Sequence, residues 1–66
     1  MKIVVNGHDR EVEAGTSVMG LLNDLGLDAR NVAVELNREI LKKAGYASTV
    51  LGESDRIEIV HFVGGG

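Results

Sequence analysis

The residues of this chain best suited to chemistry are three glycines at its C-terminal end, Gly64, Gly65 and Gly66, which follow an apolar segment. Glycine has no side chain, so these residues could lead a terminal carboxylate through a channel too narrow for any other residue. At up to about 3.6 Å per residue, they would carry that carboxylate about 10 Å from the folded body. A carboxylate becomes reactive once an enzyme joins it to AMP with ATP, and a thiol, persulfide or amine can then displace the AMP. The alternative is a frayed end with no role.

A second candidate feature is an apolar patch beside this tail. In a strand over RIEIVHFV, alternate residues share a face, so Ile57 and Ile59 lie on one side and Val60 and Phe62 on the other. If the isoleucines face a helix, Val60 and Phe62 face outward, and the same alternation turns Val4 outward. Contiguous exposed apolar surface commonly marks a partner site. The alternatives are a loop that covers these residues, or a register shifted by one.

Other kinds of site have little support in the sequence. The chain has no cysteine, and His8 and His61 lack metal-ligand spacing, so we expect no metal site. It contains no nucleotide-binding loop or catalytic triad, so we expect no enzyme activity of its own. Tyr46, the single tyrosine, is expected to be a packing residue.

The net charge of the chain and its hydropathy pattern limit the classes of partner that it could bind. A formal charge of −3 argues against nucleic acid and permits a basic protein partner. Lys42 and Lys43 form a basic spot too small for nucleic acid. No apolar run approaches the ~20 residues of a membrane span, and the absence of cysteine is compatible with a cytoplasmic location.

The predicted elements form a single domain. Val4 and its β-branched neighbours predict a strand. Residues 7–9 predict a turn and residues 10–15 predict a second strand, so the segment should form a hairpin. Apolar residues at i, i+3, i+4 and i+7 predict an amphipathic helix that starts at Thr16 or Ser17 and stops at Gly26. The stripe consists of Val18, Leu21, Leu22 and Leu25.

The second half of the chain predicts further strands. Residues 31–37 alternate, a turn is expected at Asn37-Arg38, and the last strand covers RIEIVHFV. Hairpin, helix and then strands predict an α+β fold of the β-grasp, ubiquitin-like type, with a mixed four- to five-stranded sheet and one main helix. The first and last strands should lie side by side and parallel. The domain should cover residues 1–63, with 64–66 as a flexible glycine tail.

Four segments together resemble the bacterial thiamin-pathway sulfur carrier family, ThiS. They are MKIVVNG at the start, GTSVMGLLNDLGL in the helix, VAVELNREI in the middle and DRIEIVHFVGGG at the end. The resemblance covers essentially the whole chain, and its most specific parts are VAVELN and IEIVHFVGGG.

The resemblance implies a role for each glycine. Gly66 would be the carrier residue, whose carboxylate is adenylated and then converted to a thiocarboxylate, while Gly64 and Gly65 would enter the partners' active sites. It implies no bound cofactor. The implied partners are an adenylating enzyme of the ubiquitin-activating type (ThiF) that uses ATP, a cysteine desulfurase pathway that supplies sulfur, and thiazole synthase (ThiG), which receives it.

Other functions remain open at this point. The small subunit of molybdopterin synthase shares the fold and the Gly-Gly end, although the absence of proline in this chain counts against it. A sulfur carrier for tRNA thiolation or for cysteine synthesis also remains possible on similar grounds. A ubiquitin-like protein modifier would use the same adenylation step, and an interaction module would leave the glycines inert.

Overall fold

The structure is a computed structural model that describes residues 1–62. Val63 and Gly64–Gly66 lie outside the described residues, and so does the predicted boundary between domain and tail. Within residues 1–62, two single-turn 3₁₀ helices, Ala29–Asn31 and Lys43–Gly45, accompany one α-helix and five strands. The helix and strands are β1 (Lys2–Val5), β2 (His8–Glu11), α1 (Val18–Asp24), β3 (Val32–Leu36), β4 (Glu39–Leu41) and β5 (Arg56–His61).

The five strands form one mixed sheet in the order β2-β1-β5-β3-β4. β5 runs parallel to β1 and antiparallel to β3, while β2 and β4 close the two edges as antiparallel partners of β1 and β3. The predicted β-grasp fold is confirmed, including the parallel pairing of the first and last strands. β5, the final strand along the sequence, is therefore the central strand of the sheet.

The turn of the first hairpin lies one residue earlier than predicted. Asn6 and Gly7 have positive φ angles of 49° and 84°, and Val5 pairs directly with His8 across them. Asn-Gly is the preferred pair for a two-residue hairpin turn, because both residues tolerate positive φ. The second strand consequently begins at His8 and ends at Glu11, and it does not extend over residues 10–15 as predicted.

The second hairpin turn is placed as predicted. Asn37 and Arg38 have positive φ angles of 51° and 72°, and Leu36 pairs with Glu39 on either side. The Asn37 side chain accepts a hydrogen bond from the Arg56 N–H at 3.0 Å and donates to Asp55 Oδ1 at 3.1 Å. This turn is thereby tied to the start of β5.

α1 begins and ends where the sequence indicates. Ser17 is the N-cap and its hydroxyl accepts a hydrogen bond from the Gly20 N–H. At the other end Gly26 has a φ of 73°, its N–H donates to the Asn23 carbonyl, and the Leu27 N–H donates to the Leu22 carbonyl. This is the Schellman arrangement, in which glycine takes the left-handed position. Within residues 1–62 no helix is long and apolar enough to cross a membrane.

The core lies between α1 and one face of the sheet. Three members of the predicted helical stripe are fully buried, and the fourth, Leu25, is partly buried against them. Tyr46 is also buried, at 1% exposure, which confirms its expected packing role. The buried residues are Ile3, Val18, Leu21, Leu22, Val32, Val34, Tyr46, Leu51 and Ile57.

Gly20 and Gly26 should respond oppositely to substitution by alanine. A Cβ at Gly20 would meet the Ser17 hydroxyl at 3.4 Å and Thr16 Cγ2 at 3.5 Å, contacts with the cap and not with the sheet. Gly20→Ala should therefore raise the free energy of unfolding by about 0.5–1 kcal/mol. Gly26→Ala should lower it by about 1–2 kcal/mol, because alanine is strained at positive φ. Urea denaturation measures both, and a destabilised Gly20→Ala would contradict the first expectation.

The carboxylate of Asp28 should titrate at low pH. It accepts hydrogen bonds from the Arg30 side chain and from the Arg30 backbone N–H, and these lower the pKa of Asp28 from 3.8 to about 2. A lowered folded-state pKa stabilises the fold above pH 3.8, and this contribution is lost as the pH falls through about 2. NMR titration of the carboxyl carbon measures the value. Arg30→Gln should move the pKa of Asp28 back toward 3.8, and an unchanged value would contradict the assigned cause.

Candidate functional site

The face of the sheet that points away from α1 carries an apolar surface at the C-terminal end of β5. Ile57 is fully buried on the helix side, whereas Val60 and Phe62 are 58% and 57% exposed on the other. The alternation expected from the sequence therefore holds along β5. Val60 and Phe62 lie where the chain continues toward the glycines.

Two further residues, which the sequence reasoning did not identify, extend this surface. Ala33 is directly opposite Val60 on β3, and Ile40 on β4 is opposite Glu35. Ile40 is 81% exposed and diagonal to Ala33, a Cα separation of about 7–8 Å in a regular sheet. We call Ala33, Ile40, Val60 and Phe62 the docking face. The sequence feature that could have identified Ile40 is the Asn37-Arg38 turn, because this turn determines which β3 residue pairs with Ile40.

Val4 lies on the same side of the sheet but apart from the docking face. It is partly buried and pairs with Arg56 on β5. Arg56 precedes Val60 by four residues, about 13 Å along a strand, and Glu58 lies between them. The structure brings Val60 and Phe62 together and does not bring Val4 to them. A role for Val4 in partner binding stays a prediction.

Acidic side chains border the docking face. Glu35 and Glu58 are directly opposite each other on β3 and β5, and both are exposed. Like charges in this arrangement repel each other. Two neighbouring carboxylates therefore lie beside the apolar surface.

The backbone of β5 is held by a side chain on the β1 side. β1 ends at Val5, and the Asn6 amide then accepts a hydrogen bond from the Ile59 N–H at 2.7 Å and donates to the Ile59 carbonyl at 3.1 Å. The amide group thus replaces one residue of a neighbouring strand. This pairing extends the support of β5 toward its C-terminal end.

Phe62 is held from the β3 side. Its N–H donates to the Asn31 carbonyl at 2.9 Å, and the Lys43 ammonium lies 5.4 Å from the centroid of its ring. These contacts fix the last described residue before the glycines. Gly64, Gly65 and Gly66 themselves, the predicted carrier residue and tail, lie outside the described residues.

The helix side of the sheet has a groove of about 370 Å³ near the same end. Its apolar lining includes Leu25, Leu27 and Ile59, and both histidines, His8 and His61, lie along it. Over the 62 residues that the structure describes, no group of three or more His, Cys, Asp or Glu side chains could hold a metal ion. The histidines therefore occupy one groove without forming a recognisable ligand set.

Comparison with known proteins identifies relatives over the whole chain. The model of the ThiS family matches residues 3–66, so the match includes the terminal glycines. The chain is 48% identical over all 66 residues to the thiazole synthase of Paramagnetospirillum magneticum, but it spans only 20% of that protein's length. It is 43% identical over 63 residues to the sulfur carrier protein ThiS of Bacillus subtilis, covering 94% of this chain and 96% of that protein.

The fold has a solved counterpart of the same size. The crystal structure of the thiamine biosynthesis protein ThiS from Geobacter metallireducens superimposes with a TM-score of 0.85 at 35% sequence identity, and the match covers 100% of both chains. The family match over residues 3–66, the Bacillus relative and this structural match agree with one another, and the chain belongs to the ThiS family.

Proposed function

We propose that this protein carries sulfur as a thiocarboxylate on Gly66 and donates it to the forming thiazole ring in thiamin biosynthesis. The observation that carries the proposal is the family match through Gly66 on a β-grasp body. The similarity to a sulfur carrier protein of Bacillus subtilis and to two thiazole synthases supports the same pathway. The protein acts here as a co-substrate of other enzymes and performs no catalysis of its own.

The chemistry proceeds in three steps. The Gly66 carboxylate attacks the α-phosphate of ATP, which gives an acyl adenylate and releases pyrophosphate. A persulfide then displaces AMP, and a thiol reduces the resulting acyl disulfide by two electrons to the thiocarboxylate. Transfer of that sulfur to the thiazole precursor, with an oxygen taken up in return, restores the carboxylate.

The partners follow from these steps. An adenylating enzyme of the ThiF type would bind ATP, so this chain needs no cofactor of its own. A cysteine desulfurase pathway would supply the persulfide, and thiazole synthase, ThiG, would accept the sulfur. The cytoplasm is the compartment that we propose for all of them. The docking face, which lies beside the residue where the chain continues toward the glycines, is suited to seat the body while the tail reaches the active site.

The direct test is to measure the mass of the chain after reaction and to locate any change along the sequence. The chain, incubated with the adenylating enzyme, ATP and a sulfur donor, should gain the mass difference of one sulfur for one oxygen. Fragmentation in the mass spectrometer should place this gain on Gly66. No gain in the presence of an adenylating enzyme shown to be active on another carrier would contradict the proposal.

The control for this experiment is one alanine added after Gly66. The added residue moves the carboxylate away from the glycine and places a methyl group in the narrow part of the path. The extended chain should fold and bind as before but should gain no sulfur. An isopeptide-linked ladder on other proteins in cell extract, without transfer of sulfur to thiazole, would favour the protein modifier instead.

Substitutions on the docking face should weaken binding to the adenylating enzyme. Phe62→Ala should lower the affinity about tenfold, as expected for an aromatic side chain that becomes buried in an interface, and Val60→Ala should lower it by less. Val50 provides the matched control, because it is the same residue type with the same 58% exposure but pairs with Ser17 at the start of α1. Titration calorimetry measures the three variants. If the Val50→Ala and Phe62→Ala variants bind the adenylating enzyme with equal affinity, the docking face does not bind it.

A further inference from the structure

The carbonyl of Val32 lies where β3 loses its neighbouring strand. β4 ends at Leu41, which pairs with Val34, and two residues further along the same register Lys43 would lie opposite Val32. The backbone turns into a 3₁₀ helix at Lys43 and leaves that position. The Lys43 ammonium takes it instead, donating a hydrogen bond to the Val32 carbonyl at 2.8 Å.

The same ammonium contacts two aromatic rings. It lies 5.8 Å from the centroid of Tyr46 and 5.4 Å from that of Phe62, both within the roughly 6 Å range of cation–π attraction. Tyr46 is buried and its hydroxyl lies 3.5 Å from the same Val32 carbonyl, so this part of the arrangement is fixed by the core. Phe62 is more than half exposed. One side chain therefore links an exposed ring to the core.

Phe62 has few other constraints among the described residues. It follows the last residue of β5, and its backbone is held there by the N–H donated to the Asn31 carbonyl. An exposed phenyl ring on such a residue would otherwise exchange among rotamers in water, and ordering it on binding would cost affinity. The Lys43 ammonium favours the rotamer in which the ring faces it.

We propose that Lys43 is a positioning residue for sulfur loading. It holds the Phe62 ring on the docking face before the partner arrives. This inference rests on the proposed function, since it assigns the adenylating enzyme as the partner that meets the ordered ring. Lys43 touches no reacting atom, and its effect acts entirely through Phe62.

The experiment compares Lys43→Met, Lys43→Arg and Lys42→Met in the full chain. Methionine keeps an apolar stem but removes the cation and the donor, whereas arginine keeps both and stacks well on aromatic rings. Lys42 is the matched control, because it is the adjacent exposed lysine and its side chain makes no hydrogen bond or ion pair within the described part of the chain. All variants are measured at a temperature where circular dichroism shows them folded.

Two readouts test the proposal. In Lys43→Met the Phe62 ring-proton shifts should move toward those of a free phenylalanine, and the KM of the chain for the adenylating enzyme should rise about threefold to tenfold at unchanged kcat. Lys43→Arg should restore both, and Lys42→Met should change neither. A purely structural role for Lys43 would lower the melting temperature without changing KM in folded protein.

Two results would overturn it. If the Phe62 ring signals are the same in Lys43→Met and wild type, Lys43 does not position the ring. If they move while KM stays constant, the ring's position does not matter to the partner. Failure of the wild-type chain to gain sulfur is a separate result that removes the proposed function, and the ring signals still decide whether Lys43 positions Phe62.

Discussion

The pairing of β5 between β1 and β3 is the constraint on which the rest of the structure depends. A central strand has neighbours on both sides, so its register fixes the positions of both other strands. Because side chains alternate along it, β5 buries Ile57 beneath α1 and exposes Val60 on the opposite face. β5 therefore contributes to the core on one side and to the docking face on the other, and Phe62 is the residue that follows it. A change that shifted β5 by one residue would exchange these two sides.

β1 and β4 end early at one end of the sheet, and side chains take the place of the missing strand residues. β1 ends before β5 does, and the Asn6 amide pairs with Ile59 in its place. On the far side of β3, β4 ends early and the Lys43 ammonium satisfies the carbonyl of Val32. Both substitutions occur at the end of the sheet from which the chain leaves toward the glycines. Two side chains thus satisfy backbone hydrogen-bonding groups that longer β1 and β4 strands would otherwise pair. The domain therefore does not need the extra strand residues or the surface that they would add.

The sequence predicts the elements better than the contacts between them. Periodicity identifies α1 and the outward direction of Val60, because local alternation and the 3.6-residue repeat depend on the segment alone. The position of Ile40 depends on the register of β3 with β4, and the separation of Val4 depends on where β1 meets β5. Lys43 looks like a solvated charge in sequence, since nothing local shows that β4 ends two residues before it. Such features arise from the lengths of neighbouring strands, which no single segment encodes.

As the partner surface that we propose, the docking face would combine two kinds of interaction that act at different stages of association. Its apolar residues would provide affinity once water is excluded, whereas Glu35 and Glu58, opposite each other on adjacent strands, place two carboxylates beside it. Bringing those carboxylates together costs free energy in the isolated chain, and a basic group on a partner would relieve it. The same charges would steer a basic surface toward this face before contact, an effect that falls as salt rises. An apolar surface with two carboxylates beside it would therefore select a partner by its charge pattern and retain it by burial.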